Sequence, residues 1–404
     1  MKPLLFSGIS MPCHKSPAIL RPVETLPPAK TLLVPLGTSS DEVSLLVHFS
    51  SHVAQFDCLG KNKQTGFPVF SPVSGTVTGL IPAESGFAAL IAPDPVQSTP
   101  PVRPISTENL TAQQLIDLAF DAGLVDEYDN IPLYEKLQTA AHRKVKYLLA
   151  DAIDEDPYLS AGVRTLCDFG QAVTNALSLC QKALGIPETK IALCDRFLLS
   201  KEIASPFQGF EVMRLWGKYP LKQTLIKKYD KKGGVCLLGV NALKGLWDYI
   251  ATGAPQHKTV ITVSGDCIAN PVNLSVLIGT PVSHILHHAG LFKEPTHIVT
   301  GGVIRPRPVK AADQTPITAS SRGVTALLKA SVHKEVPCSG CGSCVSVCHK
   351  KLMPYYIMLS CRQGDFEQAA RYSPELCDDC KACTLHCPAS IDVASYVAQC
   401  KSSR

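Results

Sequence analysis

Cysteine spacing constrains this chain more than any other feature. One stretch reads Cys338-Ser-Gly-Cys341-Gly-Ser-Cys344-Val-Ser-Val-Cys348, and a second reads Cys377-Asp-Asp-Cys380-Lys-Ala-Cys383-Thr-Leu-His-Cys387-Pro388. Each is C-x2-C-x2-C-x3-C, the spacing that holds a pair of cubane [4Fe-4S] clusters. A cubane needs four thiolates converging on one small inorganic core. Three come from a tight loop, and the fourth comes from the other half of the repeat. The spacing therefore assigns Cys338, Cys341, Cys344 and Cys387 to one cluster, and Cys377, Cys380, Cys383 and Cys348 to the other. Gly340 and Gly342 suit a loop whose amides press against sulfide.

Eight cysteines could instead fill two structural zinc sites. A third cysteine at +3 and a fourth at +4, repeated, has no role in a zinc ribbon. Disulfides are not expected, because no secretory leader is read ahead of the motifs. The remaining cysteines (Cys13, Cys58, Cys167, Cys180, Cys194, Cys236, Cys267, Cys361 and Cys400) lack ligand spacing and read as small buried apolar residues. A reducing, anaerobic cytoplasm suits this usage. At 404 residues the chain has room for about two to four domains. Its formal charge of +5, without a basic run, does not point to nucleic acid. No stretch reaches the length of a membrane-spanning apolar helix, so no direct membrane span is expected. Docking on the inner face of the cell membrane through partner subunits stays open.

Residues 1–95 read as all-β. Short apolar runs (31–36, 43–49, 69–70, 76–80 and 87–92) alternate with Gly, Pro and Ser turns. Phe70-Ser-Pro-Val-Ser-Gly-Thr-Val reads as strand, Ser74-Gly75 turn, strand. This piece resembles the barrel-sandwich hybrid fold of biotinyl and lipoyl carriers. The tip-like stretch Lys61-Asn-Lys63-Gln-Thr-Gly lacks an attachment motif, so a structural or docking role is expected. Residues 93–107 carry five prolines and read as a stiff linker. A helix follows over 111–122, with Thr111 as N-cap and Gly123 ending it. Alternating helices and strands over 108–265 predict an α/β domain, with strands at 146–150, 190–194, 234–239 and 259–263 and a helix over 163–184 closed by Gly185. Residues 266–304 read as a smaller unit containing a short helix closed by Gly290. Its His284, His287 and His288 lack a fourth ligand and read as a solvated face. Residues 305–335 read as a connector, and 330–404 as the two-cluster ferredoxin-type domain, with helices at 365–371 and 391–399.

In this order the parts resemble the RnfC-like family of the Rnf electron-transport complex. The resemblance covers nearly the whole chain. It rests on Pro22-Val-Glu24-x-Leu-Pro-Pro, Ser71-Pro-Val-Ser-Gly-Thr-Val, Asp156-Pro-Tyr-Leu, Lys218-Tyr-Pro, Val263-Ser-Gly-Asp266 with Asn270-Pro, Ile278-Gly-Thr-Pro-Val, Thr300-Gly-Gly302, and the cysteines with Leu352-Met-Pro354 behind them. It implies a barrel-sandwich N-terminus, an α/β layer like an NADH/FMN-binding domain, an SLBB or β-grasp-like unit over 266–304, and a two-cluster tail.

The departures fall on the nucleotide site. In that family a Gly-Gly-Ala-Gly-Phe-Pro loop follows the helix ending at Gly123 and cradles flavin and NADH phosphates. Here the stretch is Leu124-Val-Asp-Glu-Tyr-Asp-Asn-Ile-Pro132, without glycine and with Asp126, Glu127 and Asp129. A phosphate cradle needs backbone N–H groups that reach the anion unobstructed, and carboxylates repel a dinucleotide. The family's Asn-Gly-Ala-Glu-Cys-Glu-Pro-Tyr run is Asp151-Ala-Ile-Asp-Glu-Asp156-Pro-Tyr158 here, and its Gly-Gly-Glu after Lys218-Tyr-Pro220 is Leu221-Lys-Gln. His349 also stands where proline usually follows the fourth cysteine, and could hydrogen-bond a cluster sulfur.

Three readings follow. The first is an electron relay: the two [4Fe-4S] clusters pass single electrons between redox partners (a flavoprotein, a ferredoxin or membrane Rnf-type subunits), without a working NADH/FMN site. The second is a diverged NADH dehydrogenase subunit of an ion-translocating complex, holding FMN and binding NADH. The third is a scaffold with structural clusters. The glycine-poor loop favours the first over the second, and the eight cysteines favour either over the third. No catalytic residue is assigned.

Overall fold

The computed structural model describes residues 8–16, 18–37, 43–83, 86–98, 100–194, 203–328 and 334–402. Strands Leu32–Pro35, Gly86–Pro93, Gly75–Ala83 and His52–Val53 form, in that order, one antiparallel sheet. Val43–Leu45, Cys58–Asn62 and Pro68–Phe70 form a second. The two share a core of Leu32, Val34, Leu59, Val77 and Ile91, the expected barrel-sandwich arrangement. Gly75 begins a strand, and a Cβ there would lie 2.3 Å from the Ala92 carbonyl oxygen. Only glycine allows that approach.

The hairpin tip does not swing free. Asn62 Oδ1 accepts from the Gln64 and Thr65 amides, and Phe67 packs on Phe120 and Tyr134 at ring separations of 5.7 and 5.6 Å. Those rings belong to helices α1 (Ala112–Asp121) and α2 (Leu133–Arg143), so the tip is a docking element. The first of these helices starts at the Thr111 cap, with a reciprocal Thr111–Gln114 capping box.

Four parallel strands make the α/β layer, in the order Glu211–Leu215, Glu188–Cys194, Tyr147–Ala152, Val235–Gly239. Parallel strands need helices on both faces, and their apolar runs are buried accordingly. One face takes α1, α2, α3 (Ala161–Leu184) and, after α4 (Leu221–Asp230) on the opposite face, α5 (Val240–Thr252). Gly185 closes α3 in the left-handed conformation.

Two expectations are corrected here. The strand read at 259–263 does not join the α/β layer. As Lys258–Ser264 it sits inside a six-stranded mixed sheet, antiparallel to Val272–Leu277 and parallel to Gly323–Leu327. Its partner was a tertiary choice that an apolar run alone does not encode. Residues 305–335 are also more than a connector, because Gly323–Leu327 lies between Lys258–Ser264 and His297–Thr300. It is short, and Ser, Arg and Gly surround its start, so its strand signal was weak. Within that stretch, 329–333 lie outside the described residues. Glu24–Thr25 and Arg307–Pro308 complete the sheet's edges. Helix α6 (Val282–Ala289) packs on it through Ile285 and Leu286, leaving His287 and His288 exposed while His284 Nε2 reaches the Pro27 carbonyl.

The tail holds short helices α7 (Ser343–Ser346), α8 (Pro354–Arg362), α9 (Phe366–Ala370), α10 (Ala382–Leu385) and α11 (Val393–Ser402). Helices α8 and α11 pack against each other through Ile357, Cys361, Val397 and Cys400.

Candidate metal centres

The motif cysteines surround two hollows. Cys338, Cys341, Cys344 and Cys387 line one, closed by Tyr355, Met358, Ile391 and Val393. Cys348, Cys377, Cys380 and Cys383 line the other, with Leu352, Pro354, Ala394 and Val397 behind them. Each hollow thus takes three cysteines from one loop and the fourth from the other.

Both loops take the same backbone path. Gly340 and Gly342 have φ of 70° and 72°; Asp379 and Lys381 hold the same positions at 52° and 61°. Glycine adopts this region freely, whereas Asp and Lys are held there at a cost of roughly 1–2 kcal/mol each. The turn places the Gly340 N–H 3.5 Å from Cys338 Sγ and the Asp379 N–H 3.4 Å from Cys377 Sγ. Burial pushes the Cys380 and Cys383 thiols up to about 12, so a bare thiolate is disfavoured there and a cation would be needed to hold one. Four sulfurs, apolar walls and N–H groups directed at sulfur fit an iron–sulfur cubane.

The two hollows differ in their surroundings. The loop over 377–383 docks on the body of the protein: Tyr219 Oη donates to the Cys380 carbonyl at 2.6 Å, and Arg305 donates to the Asp379 carbonyl at 2.9 Å. Ile9, Tyr219 and Ile304 pack there against Val347, Cys380 and Ala382. The loop over 338–344 faces outward, with Ser339, Gly340 and Cys341 exposed. His349 lies at the docked hollow, because its neighbour Cys348 crosses to that side. Its Nε2 pairs with the Asp378 carboxylate at 2.9 Å, so that nitrogen is engaged by the carboxylate. Asp378 is held below its ordinary value: burial opposes this, but the hydrogen bond and charge of His349 outweigh it. His349, Asp378 and Cys380 offer ligand atoms within 4.8 Å of one another, but this trio shares Cys380 with the docked hollow.

A cavity of about 490 Å³ opens beside the docked loop. Its walls include Tyr128, Tyr219, Lys222, Arg305, Arg322 and Asp378. The acidic stretch over 124–132 runs along it. Asp126 accepts from the Gly239 N–H at 2.7 Å and from Lys136 Nζ at 2.8 Å. Burial works to raise Asp126, but Lys136, Lys222 and the Gly239 N–H overcome it and hold the carboxyl low. Glu127 accepts from the Asn241 and Ala242 N–H groups at 2.8 and 3.2 Å, in the first turn of α5. Burial, with Asp126 beside it, pushes Glu127 up to about 8. Asp129 pairs with Lys136 at 2.8 Å at the outer edge.

Two further carboxyls do the same work. Glu155 accepts from the Leu221 N–H at the start of α4. Asp154 accepts from the Val163 N–H at 3.0 Å in the first turn of α3. Three helix N-termini, each a ready site for an anion, are thus occupied by the chain's own side chains. Tyr128 lies between two cations, with Lys222 Nζ 4.0 Å and Arg322 Cζ 4.3 Å from its ring centre. By sequence the acids read as repelling; in the structure Asp126 and Glu127 cap the start of α5, while Asp129 pairs with Lys136. Tyr128, Lys222, Arg305 and Arg322 line the cavity without any local signal in the sequence. Tyr219 lay in the Lys218-Tyr-Pro motif, but nothing marked it as the dock for a cysteine loop.

No helix among the described residues is long and apolar enough to cross a membrane. In comparison with known proteins, a chain of an NAD+-reducing [NiFe]-hydrogenase in the H2-reduced state superposes with a TM-score of 0.44 over 67% of this chain and 52% of that one, at 14% identity. The chain is 25% identical over 395 residues to a subunit of the ion-translocating oxidoreductase complex of Rhodobacter capsulatus, covering 90% of this chain and 76% of that protein. It is 25% identical over 370 residues to a subunit of the Na(+)-translocating ferredoxin:NAD(+) oxidoreductase complex of Acetobacterium woodii, covering 81% and 83%. Residues 5–88 match the RnfC barrel sandwich hybrid domain. The chain is RnfC-like over most of its length, and its N-terminal domain is the RnfC barrel-sandwich hybrid.

Proposed function

We propose that this chain is the iron–sulfur relay subunit of an RnfC-like oxidoreductase assembly, passing single electrons between partner proteins without an NADH/FMN site of its own. One observation carries the relay: two four-cysteine hollows lie in one small tail, one docked on the body and one turned outward. When bound, two [4Fe-4S] clusters supply one-electron carriers at those places. Tyr219 and Arg305 hold the docked loop, and Tyr355, Met358, Ile391 and Val393 give the outward hollow its apolar wall. In this reading the tail is a ferredoxin-type domain and the sheet around 266–304 an SLBB or β-grasp-like unit. Its partners are other redox subunits, as the names of the relatives suggest. The chain then works in the cytoplasm or on the inner membrane face through those partners.

The missing nucleotide site rests on the helix caps. A dinucleotide phosphate seeks free N–H groups at a helix start, and here Asp154, Glu155 and Glu127 take them. Tyr128 fills the space between Lys222 and Arg322 that a flat ring would seek. One observation favours the second reading, a diverged FMN-bearing dehydrogenase subunit: the 490 Å³ cavity itself, which adjoins the docked loop and is edged by Arg305 and Arg307.

Anaerobic purification with iron and flavin counts, followed by NADH addition, separates the two. The relay predicts iron near eight atoms per chain, since two cubanes carry four each. It also predicts no flavin, no bleaching by NADH and bleaching by dithionite. Bound flavin with rapid NADH bleaching establishes the dehydrogenase instead.

A further inference from the structure

Cys361 and Cys400 belong to neither motif. Cys361 lies in α8 and Cys400 in the last turn of α11, and both are buried in one apolar cluster with Ile357, Ala369 and Val397. The two side chains share that cluster closely enough for the Cys361 thiol to act on Cys400. Cys361 also reaches Gln399 Oε1 at 3.3 Å. The helices that carry them wall both hollows: Tyr355 and Met358 of α8 with Val393 of α11 at the outward one, Pro354 with Ala394 and Val397 at the docked one. A bond between these thiols would join the two helices on which both hollows are built. Cys236 also acts on Cys180, but both are sealed in the α/β core.

We propose that Cys361 and Cys400 are a redox-active thiol pair that a low-molecular-weight disulfide converts to a disulfide staple between α8 and α11. The exchange balances without another oxidant. One protein thiol, as its thiolate, attacks the small disulfide, forming a mixed disulfide and releasing one small thiol. The second protein thiol then attacks the mixed disulfide, closing the Cys361–Cys400 bond and releasing the second small thiol. Two protein thiols are oxidised, one small disulfide is reduced, and the two protons end on the released thiols.

Access comes from the end of α11. Gln399, Lys401 and Ser402 are exposed around Cys400, in the last turn of α11, where local opening costs least. Burial and the neighbouring thiol push Cys400 up to about 12, so the exchange is slow and the pair stays reduced in a reducing cytoplasm. The staple serves oxidising episodes, when it would hold the cysteine-bearing frame together.

The test uses the full chain, purified anaerobically and incubated with oxidised glutathione, then blocked with N-ethylmaleimide, digested and mapped by mass spectrometry. Visible absorbance of the iron centres is followed throughout. The expected result is one linked peptide pair joining Cys361 to Cys400, with unchanged absorbance, reversal by dithiothreitol and a raised denaturation midpoint before reversal. Cys400→Ser and Cys361→Ser should each abolish the link, and wild type read before and after oxidant needs neither variant to fold well. Both thiols recovered singly blocked after unfolding, or links confined to motif cysteines, would overturn the staple. A chain without iron would fail the relay reading while the peptide map still reports on this pair.

Discussion

The Tyr219 hydroxyl donates to the carbonyl of Cys380 at 2.6 Å, tying the start of α4 to the backbone of a motif cysteine. Tyr219 is itself fixed by paired backbone hydrogen bonds with Ile9, at 3.0 and 2.8 Å. Because both ends are buried, the bond orders the 377–383 loop against the body. Tyr219→Phe removes the donor, leaves a buried carbonyl unmet and should cost about 1–3 kcal/mol. Hydrogen exchange should rise at the amides of 380–383 and stay unchanged at 148–150. Equal protection in both proteins would mean that apolar packing alone holds the loop.

The crosswise division of cysteines makes an asymmetric prediction. Cys387 belongs by sequence to the second motif but lines the hollow of the first. Cys387→Ala should therefore impair the outward centre and spare the docked one, and Cys348→Ala should do the reverse. Iron should fall by about half in each, with loss of a different one of two reduced-state EPR signals. Loss of the same signal in Cys387→Ala and Cys377→Ala would show that each loop serves its own centre.

Much of this was legible because it depends on local spacing. Loop and helix geometry sets the C-x2-C-x2-C-x3-C interval, so the grouping of cysteines could be read without knowing the fold. The Thr111 cap and the Gly185 stop are equally local. Illegible were the choices that only tertiary structure makes. Lys258–Ser264 had the right apolar run and the wrong assumed neighbours. Asp126 and Glu127 were read by their charge, yet their role depends on N–H groups more than a hundred residues away at 239–242.

His257 supplies a pH prediction at the join between the barrel and the body. Its ring lies 4.9 Å from Phe56, and Nδ1 meets the Pro255 carbonyl at 2.8 Å. Burial pushes it down to about 4, helped by the charge of Lys258. The unfolded chain thus takes up this proton near pH 6.5 and the folded chain only near 4. The contribution of neutral His257 is present above 6.5 and is lost as pH falls to about 4, on the order of 3 kcal/mol in all. His257→Gln should flatten denaturant midpoints across that window. An unchanged slope would show that other groups set it.

Glu127 predicts the opposite slope at higher pH. Its folded value is raised to about 8 from 4.5, chiefly by burial and then by Asp126. Between those values the folded chain keeps a proton that the unfolded chain has released, so stability falls as pH rises through the window. His257 titrates alike in wild type and in a Glu127 variant, so the difference between the two over pH 7 to 8 isolates the Glu127 effect. There the wild type should lose on the order of 1 kcal/mol. Glu127→Gln keeps an oxygen for the Asn241 N–H but cannot ionise. Its stability should vary less across the interval, even if the amide fits the helix start less well and lowers the whole curve. The measurement is the difference between wild-type and variant urea midpoints at pH 7 and 8. A difference that does not change with pH would mean that the two N–H groups of α5 hold Glu127 ionised, and that an anion occupies that helix start throughout the neutral range.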